Sequence, residues 1–209
     1  MKIKSLLFAA LATLTLSACS DNGKPTEGKE YTVIANPISA GKIAPVTEVF
    51  SLSCGHCRMM EDAIPAIEKG TSQDISKVHV TFNESAMFAA LLYYSAAIQA
   101  EGKLDPALTA ALFKYVQEEQ TESPDKNKEI ITALFEKYGL TSPYSLSEQQ
   151  QQALFKAMEK ADEVTEQAEI VSVPTFIVNG KYLVNTAEHD SVEKLISTLN
   201  FLLNTPPSK

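Results

Sequence analysis

Hydrophobic and polar positions follow distinct rhythms along this chain, and those rhythms assign most elements before any chemistry is considered. Residues 6–16 form an apolar run of eleven behind Lys2 and Lys4. A bilayer-spanning helix needs about 20 residues, so this run reads as the apolar core of an export signal. Residues 20–30, SDNGKPTEGKE, contain no hydrophobic residue and read as a flexible tether. Residues 31–34 and 46–52 are short, apolar and rich in β-branched side chains, as strands are. The second is interrupted by one charge, Glu48. Met60, Ala63, Ile64 and Ile67 then recur at spacings of three and four, which predicts a helix, with Pro65 kinking it or ending its first part. Residues 77–82 alternate as a strand.

A helical block follows, with clear punctuation. Gly102 can end its first helix. Asp105-Pro106 and Ser123-Pro124 each place an N-cap before a proline at the first helical position. Gly139 closes the helix that Ser123 opens. Ser147 with Gln150 makes a capping box, and the helix it starts extends to about Glu169. That predicts four helices between Glu84 and Ile170. Strands return at 174–178 and 181–185, around Asn179-Gly180, a pair suited to a type I′ hairpin turn. Asp190 with Glu193 is expected to cap a last helix, whose apolar face is Val192, Leu195, Ile196, Leu199 and Leu203. The tail from Asn204 is polar.

The chain has 209 residues, net charge −8, three Cys, three His and no Trp. The acidic balance excludes a broad nucleic-acid surface, which needs clustered Lys and Arg. Three cysteines are too few for a disulfide-stapled mini-fold or a four-Cys zinc site. One of them ends the apolar run, in Leu16-Ser17-Ala18-Cys19. That string resembles the lipobox of bacterial lipoproteins, which implies cleavage before Cys19 and a diacylglycerol on its sulfur. Ser20 then leans toward the outer membrane by the sorting convention of those proteins. The plain alternative is a secretory signal cleaved near Ala18, with Cys19 a free thiol.

The other two lie in Cys54-Gly55-His56-Cys57, between a strand and a helix. Two thiols so spaced can close a small disulfide. The unpaired N–H groups at a helix start favour a thiolate on Cys54. Two other readings exist for the pair. Half of a metal site needs two more ligands, and His56, His79 and His189 lack zinc-ligand spacing to it. A structural staple gains little from so short a loop.

Cys-Gly-His-Cys after a buried strand, with Val173-Pro174 opening a later one, resembles the thioredoxin fold. The helical block between them is similar to the DsbA branch of exported thiol–disulfide oxidoreductases. Further pieces fit in register: Tyr31-Thr32, Glu48 six residues before Cys54, Glu61 four after Cys57, Lys77-Val78-His79-Val80, and the run from Phe176 to Tyr182. The resemblance implies an α/β thioredoxin fold with an inserted helical domain. Residues 1–18 are then a lipoprotein signal, 19–30 the tether, 31–83 and 171–203 the thioredoxin-like parts, 84–170 the insertion and 204–209 a tail.

The resemblance also implies roles. Cys54 is the exposed nucleophile and Cys57 its buried partner. Pro174 is a cis proline facing them, and the Val173 backbone can pair with an extended substrate. Glu48 is a buried carboxylate able to relay the Cys57 proton, with Lys77 as partner; its bland alternative is an edge position facing solvent. Glu61 either tunes the site or is a solvated helix residue. His79 and His189 read as structural or surface residues. Gly55 and His56 tune the redox poise. DsbA proteins commonly carry Pro-His between the cysteines, whereas Gly-His is the dipeptide of protein disulfide isomerases.

The expected activity is oxidation of reduced or unfolded exported proteins in the periplasm. The dithiol needs no metal or organic cofactor, and a DsbB-like membrane oxidase renews the disulfide. An isomerase or partner-specific reductase of the same fold is the near alternative. A peptide-binding, chaperone-like module is the alternative of another class.

Overall fold

The computed structural model describes residues 24–39 and 41–205. The signal, the lipobox with Cys19 and the last four residues lie outside the described residues. An interior strand, β2 (Val46–Phe50), has all five residues buried, as expected of a strand covered on both faces. Glu48 takes one of those places, so the alternative of a solvent-facing edge position fails. Around β2 stand β1 (Tyr31–Val33), β3 (Ser76–His79), β4 (Thr175–Val178) and β5 (Tyr182–Asn185), in the order β1-β5-β4-β2-β3. Of the four pairings between these strands, β2–β3 is parallel and the rest are antiparallel.

Among the described residues seven α-helices accompany the sheet: α1 (Gly55–Met60), α2 (Ile64–Thr71), α3 (Glu84–Ala97), α4 (Pro106–Lys114), α5 (Pro124–Lys137), α6 (Glu148–Gln167) and α7 (Val192–Leu203). Alternation along the strands divides the core. Val46, Phe176, Val178 and Val184 pack with Ile67 of α2 and Leu195 and Leu199 of α7. Val49 and Ile177 point to the other face and meet Val164 of α6 and Ala168, its C-cap. A third apolar cluster fills the interior of α3 to α6 and reaches the sheet at Phe50 and α1 at Cys57. Helices α3 to α6 all lie between β3 and β4 in the chain, so the block is an insertion into the sheet's connectivity.

Local chemistry accounts for the boundaries. Pro65 ends the first part of the helix after Cys57, and α2 restarts with it in the opening turn. Asp105, Ser123 and Ser147 accept N–H bonds as N-caps, the last in a full capping box. Gly139, at φ +70, lets Leu140 N–H return to the Phe135 carbonyl at 3.0 Å. Asn179 and Gly180 both have positive φ, as the I′ turn requires.

Three expectations need correction. Strand β3 stops at His79, because Asn83 already caps α3 through the Ala86 N–H. The cap of α7 is Ser191, which accepts from Lys194 N–H, while Asp190 pairs with the Lys194 ammonium at 2.8 Å. The tether is shorter than composition suggests. Residues 26–30 close a turn, with Glu30 N–H on the Thr26 carbonyl at 3.1 Å, and Asn185 N–H docks on the Glu30 carbonyl at 2.9 Å.

Candidate active site

Cys54 is the N-cap of α1. Its backbone is extended and its sulfur accepts the Cys57 N–H at 3.1 Å. The cysteines are free thiols, Cys54 partly exposed and Cys57 fully buried. Across the site the Val173–Pro174 peptide bond is cis. The Cys54 thiol reaches the Val173 carbonyl at 3.5 Å. Thr186 Oγ1 donates to the Pro174 carbonyl at 2.6 Å and ties the loop to the strand beyond it.

The two thiols are driven apart in acidity. Cys54 is lowered to about 6, first by the hydrogen bond from the Cys57 thiol and then, against burial, by the backbone N–H groups of Cys57 and His56. Cys57 is pushed up, by that same bond and by burial. Near neutral pH one sulfur is a thiolate and the other holds its proton.

Beneath them lies a buried ionic group. Glu48 is 0% exposed, and Lys77 stands opposite it in the parallel register. The Lys77 ammonium bonds Glu48 Oε2, and Glu61 Oε1 at 2.6 Å. It also lies 5.0 Å from the centre of the Phe50 ring. Glu48 Oε1 has no partner. Burial raises the Glu48 carboxyl to about 7, against the pull of Lys77. Burial works against the Lys77 charge as well, but Glu48 and Glu61 outweigh it and raise its pKa. Lys77 therefore stays charged while Glu48 is poised to gain or lose a proton.

Gly55 and His56 are exposed at the start of α1. A Cβ on Gly55 would meet nothing within 4 Å, so no steric demand excludes a larger residue there. His56, Met59, Val173, Pro174, His189 and Leu195 are among the residues lining a groove of about 480 Å³ beside the dithiol. Among the described residues no group of three or more His, Cys, Asp or Glu could hold a metal ion. Among the same described residues, no helix is long and apolar enough to cross a membrane.

Two further residues shape the site, one expected to be structural or surface and one that escaped the sequence. His79 is fully buried, accepts the Leu52 N–H on Nε2 at 2.8 Å and bonds the Val80 carbonyl through Nδ1 at 2.7 Å. It is structural, as expected, but what it holds is the segment leading into Cys54. Gln117, 63 residues from Cys54, donates to the Leu52 and Cys54 carbonyls at 2.8 and 3.3 Å. Its signal was absent from the sequence, being one glutamine in a polar stretch.

A family model described as thioredoxin matches residues 40–198. Curated relatives are thiol:disulfide interchange proteins DsbA. That of Burkholderia cepacia is 27% identical, covering 99% of this chain and 99% of its own. That of Haemophilus influenzae is 29% identical, covering 96% and 98%. Among solved structures, the DsbA of Pseudomonas aeruginosa superposes with a TM-score of 0.69 at 21% identity, over 88% of this chain and 94% of that one. The oxidoreductase DsbA of Xylella fastidiosa gives 0.66 at 21% identity, over 86% and 96%. At such identities the solved structures speak to the fold, which is the thioredoxin fold with a helical insertion.

Proposed function

The chain belongs to the thioredoxin family, and from that membership we propose that it is a DsbA-like thiol–disulfide oxidoreductase of the periplasm that donates the Cys54–Cys57 disulfide to exported proteins. The observation that carries the reading is the Cys54 sulfur itself: capped by the Cys57 N–H at 3.1 Å, partly exposed, and facing the Val173 carbonyl beside cis Pro174.

The chemistry follows from the difference between the two sulfurs. A thiolate of a reduced client attacks Cys54 Sγ of the oxidised enzyme. The client–Cys54 bond forms, the Cys54–Cys57 bond breaks, and Cys57 leaves as a thiolate. Burial disfavours the Cys57 thiolate, so it takes up a proton. Glu48, near-neutral in the same pH range, is placed to supply or relay it. The client's second thiolate then attacks its own sulfur in the mixed disulfide and expels Cys54, an acidic and therefore good leaving group. The client loses two electrons and the enzyme gains them as a dithiol. A DsbB-like membrane oxidase removes them again. The groove beside His56 and Pro174 suits an extended client segment, with apolar side chains against Met59 and Leu195. In the full proposal the mature chain begins at Cys19 and carries a lipid there, which the sequence alone supports.

The test is the equilibrium of the dithiol with glutathione, on a soluble form lacking Cys19. A potential near about −120 mV marks a donor of disulfides. A value near about −180 mV marks isomerase or partner-specific work, and one at or below about −270 mV refutes the oxidase role in favour of a reductase.

A further inference from the structure

Helix α4 does not end as an α-helix. Its last turn, Tyr115–Glu119, widens into a π-helix, an arrangement common at functional sites. The wide turn directs two side chains at α1. Gln117 Nε2 donates to the carbonyls of Leu52 (2.8 Å) and Cys54 (3.3 Å). Gln117 Oε1 accepts from Arg58 Nη1 at 3.4 Å, and the same Nη1 pairs with Glu118 at 2.6 Å.

The amide can take only one orientation. Arg58 has donors alone, so it must face Oε1; the carbonyls have lone pairs alone, so they must face the –NH₂ group. That group has two hydrogens for two carbonyls. Leu52 is thereby gripped at both ends of the residue, its N–H by His79 and its carbonyl by Gln117. The Cys54 carbonyl also accepts the first α-helical bond of α1, from Arg58 N–H at 3.1 Å. Helix α1 has six residues, too few to hold its shape without tertiary support.

We propose that Gln117 is a positioning residue for the dithiol: from the inserted helices it clamps residues 52–54, and so keeps the N–H groups of α1 aimed at the Cys54 sulfur. This deepens the oxidoreductase reading and rests on it. An aimed cap stabilises the thiolate and so the reduced enzyme, which makes the disulfide a stronger oxidant. The helical insertion then sets redox poise as well as shape, with Arg58 and Glu118 orienting the amide.

The experiment compares wild type with Gln117→Leu, which keeps volume and loses the hydrogen bonds, and with Arg58→Lys, which keeps the charge and loses the Nη1 donor that Gln117 and Glu118 share. Two readouts are taken on each folded protein: thiolate absorbance at 240 nm against pH, and the equilibrium with glutathione. In Gln117→Leu the thiolate midpoint rises and the equilibrium shifts toward the enzyme disulfide by about three- to tenfold, the range that one or two modest hydrogen bonds supply. Arg58→Lys shifts both in the same direction by less. A purely structural glutamine would alter denaturation midpoints and leave both readouts in place. If Gln117→Leu folds and both match wild type, the proposal is overturned. If it does not fold, an Arg58→Lys protein identical to wild type overturns it instead. A wild-type dithiol that never exchanges with glutathione refutes the oxidoreductase reading itself, and the proposal falls with it.

Discussion

Replacing Glu48 by glutamine isolates the energetics of the buried carboxylate. The folded protein holds the Glu48 proton to about 7, against an ordinary 4.5, chiefly because burial penalises the charge. Between those two values the folded state binds a proton that the unfolded state has lost, so stability falls as pH rises through that window. At 1.36 kcal/mol per unit, the full effect is about 3 kcal/mol by pH 8. Glutamine resembles the protonated acid: its oxygen can accept from Lys77, and its –NH₂ replaces the proton-bearing side at the partnerless Oε1. Lys77 keeps Glu61 at 2.6 Å. The variant should therefore match wild type below about pH 4.5 and exceed it by up to about 3 kcal/mol at pH 8. Wild type alone does not display the slope. His79, lowered to about 4 by burial, destabilises the fold as pH drops below its ordinary 6.5 and works in the opposite direction. It is common to both proteins, so the difference between them cancels it. Urea denaturation of the two dithiol forms at pH 4.5, 6 and 8 measures that difference. A difference that does not grow with pH would show Lys77 keeping Glu48 ionised throughout, and would refute both the neutral carboxyl and its part in the proton relay.

Three further outcomes follow from particular contacts. In Cys57→Ala, Cys54 loses the hydrogen bond that lowers it most, so the 240 nm titration midpoint should move up from about 6; an unmoved midpoint assigns the acidity to the backbone instead. Tyr115 is fully buried with its hydroxyl unpaired, so Tyr115→Phe should leave stability unchanged or raise it by up to about 1 kcal/mol in urea denaturation, and a loss above that size would mean the hydroxyl has a partner. Gly55 is the first residue of α1 with open space at its Cβ, so Gly55→Pro should fold and gain about 0.4–1 kcal/mol through the unfolded chain; a lowered melting temperature counts against that.

What could be read in the sequence was what local chemistry decides. Ser147 with Gln150, Ser123-Pro124 and Asn179-Gly180 each act within a few residues, and each appears where the pattern puts it. Glu48 was legible because a charge contradicts an apolar strand, and Lys77 because it sits on the neighbouring one. The misplaced cap shows the limit of such signals: Asp190 and Ser191 are both good caps, and only the path of the chain from β5 chooses between them. Gln117 was illegible for a different reason. Nothing in its own segment marks a π-turn, and its partners lie 63 and 65 residues away, where no periodicity reaches.

Those long separations bear on how the chain comes of age. Cys54 meets the Val173 carbonyl across 119 residues, and Gln117 and His79 join the same spot from between. Synthesis delivers the N-terminal end first, so the two thiols are exposed long before the groups that frame them. Until β4 has slotted in beside β2, the Cys54 sulfur lacks the Val173 carbonyl and the cis Pro174 loop that face it. The chain thus carries its dithiol through most of synthesis before the loop that faces it exists. A fragment cut short before residue 173 carries the whole Cys-Gly-His-Cys motif and lacks the cis Pro174 loop that faces it.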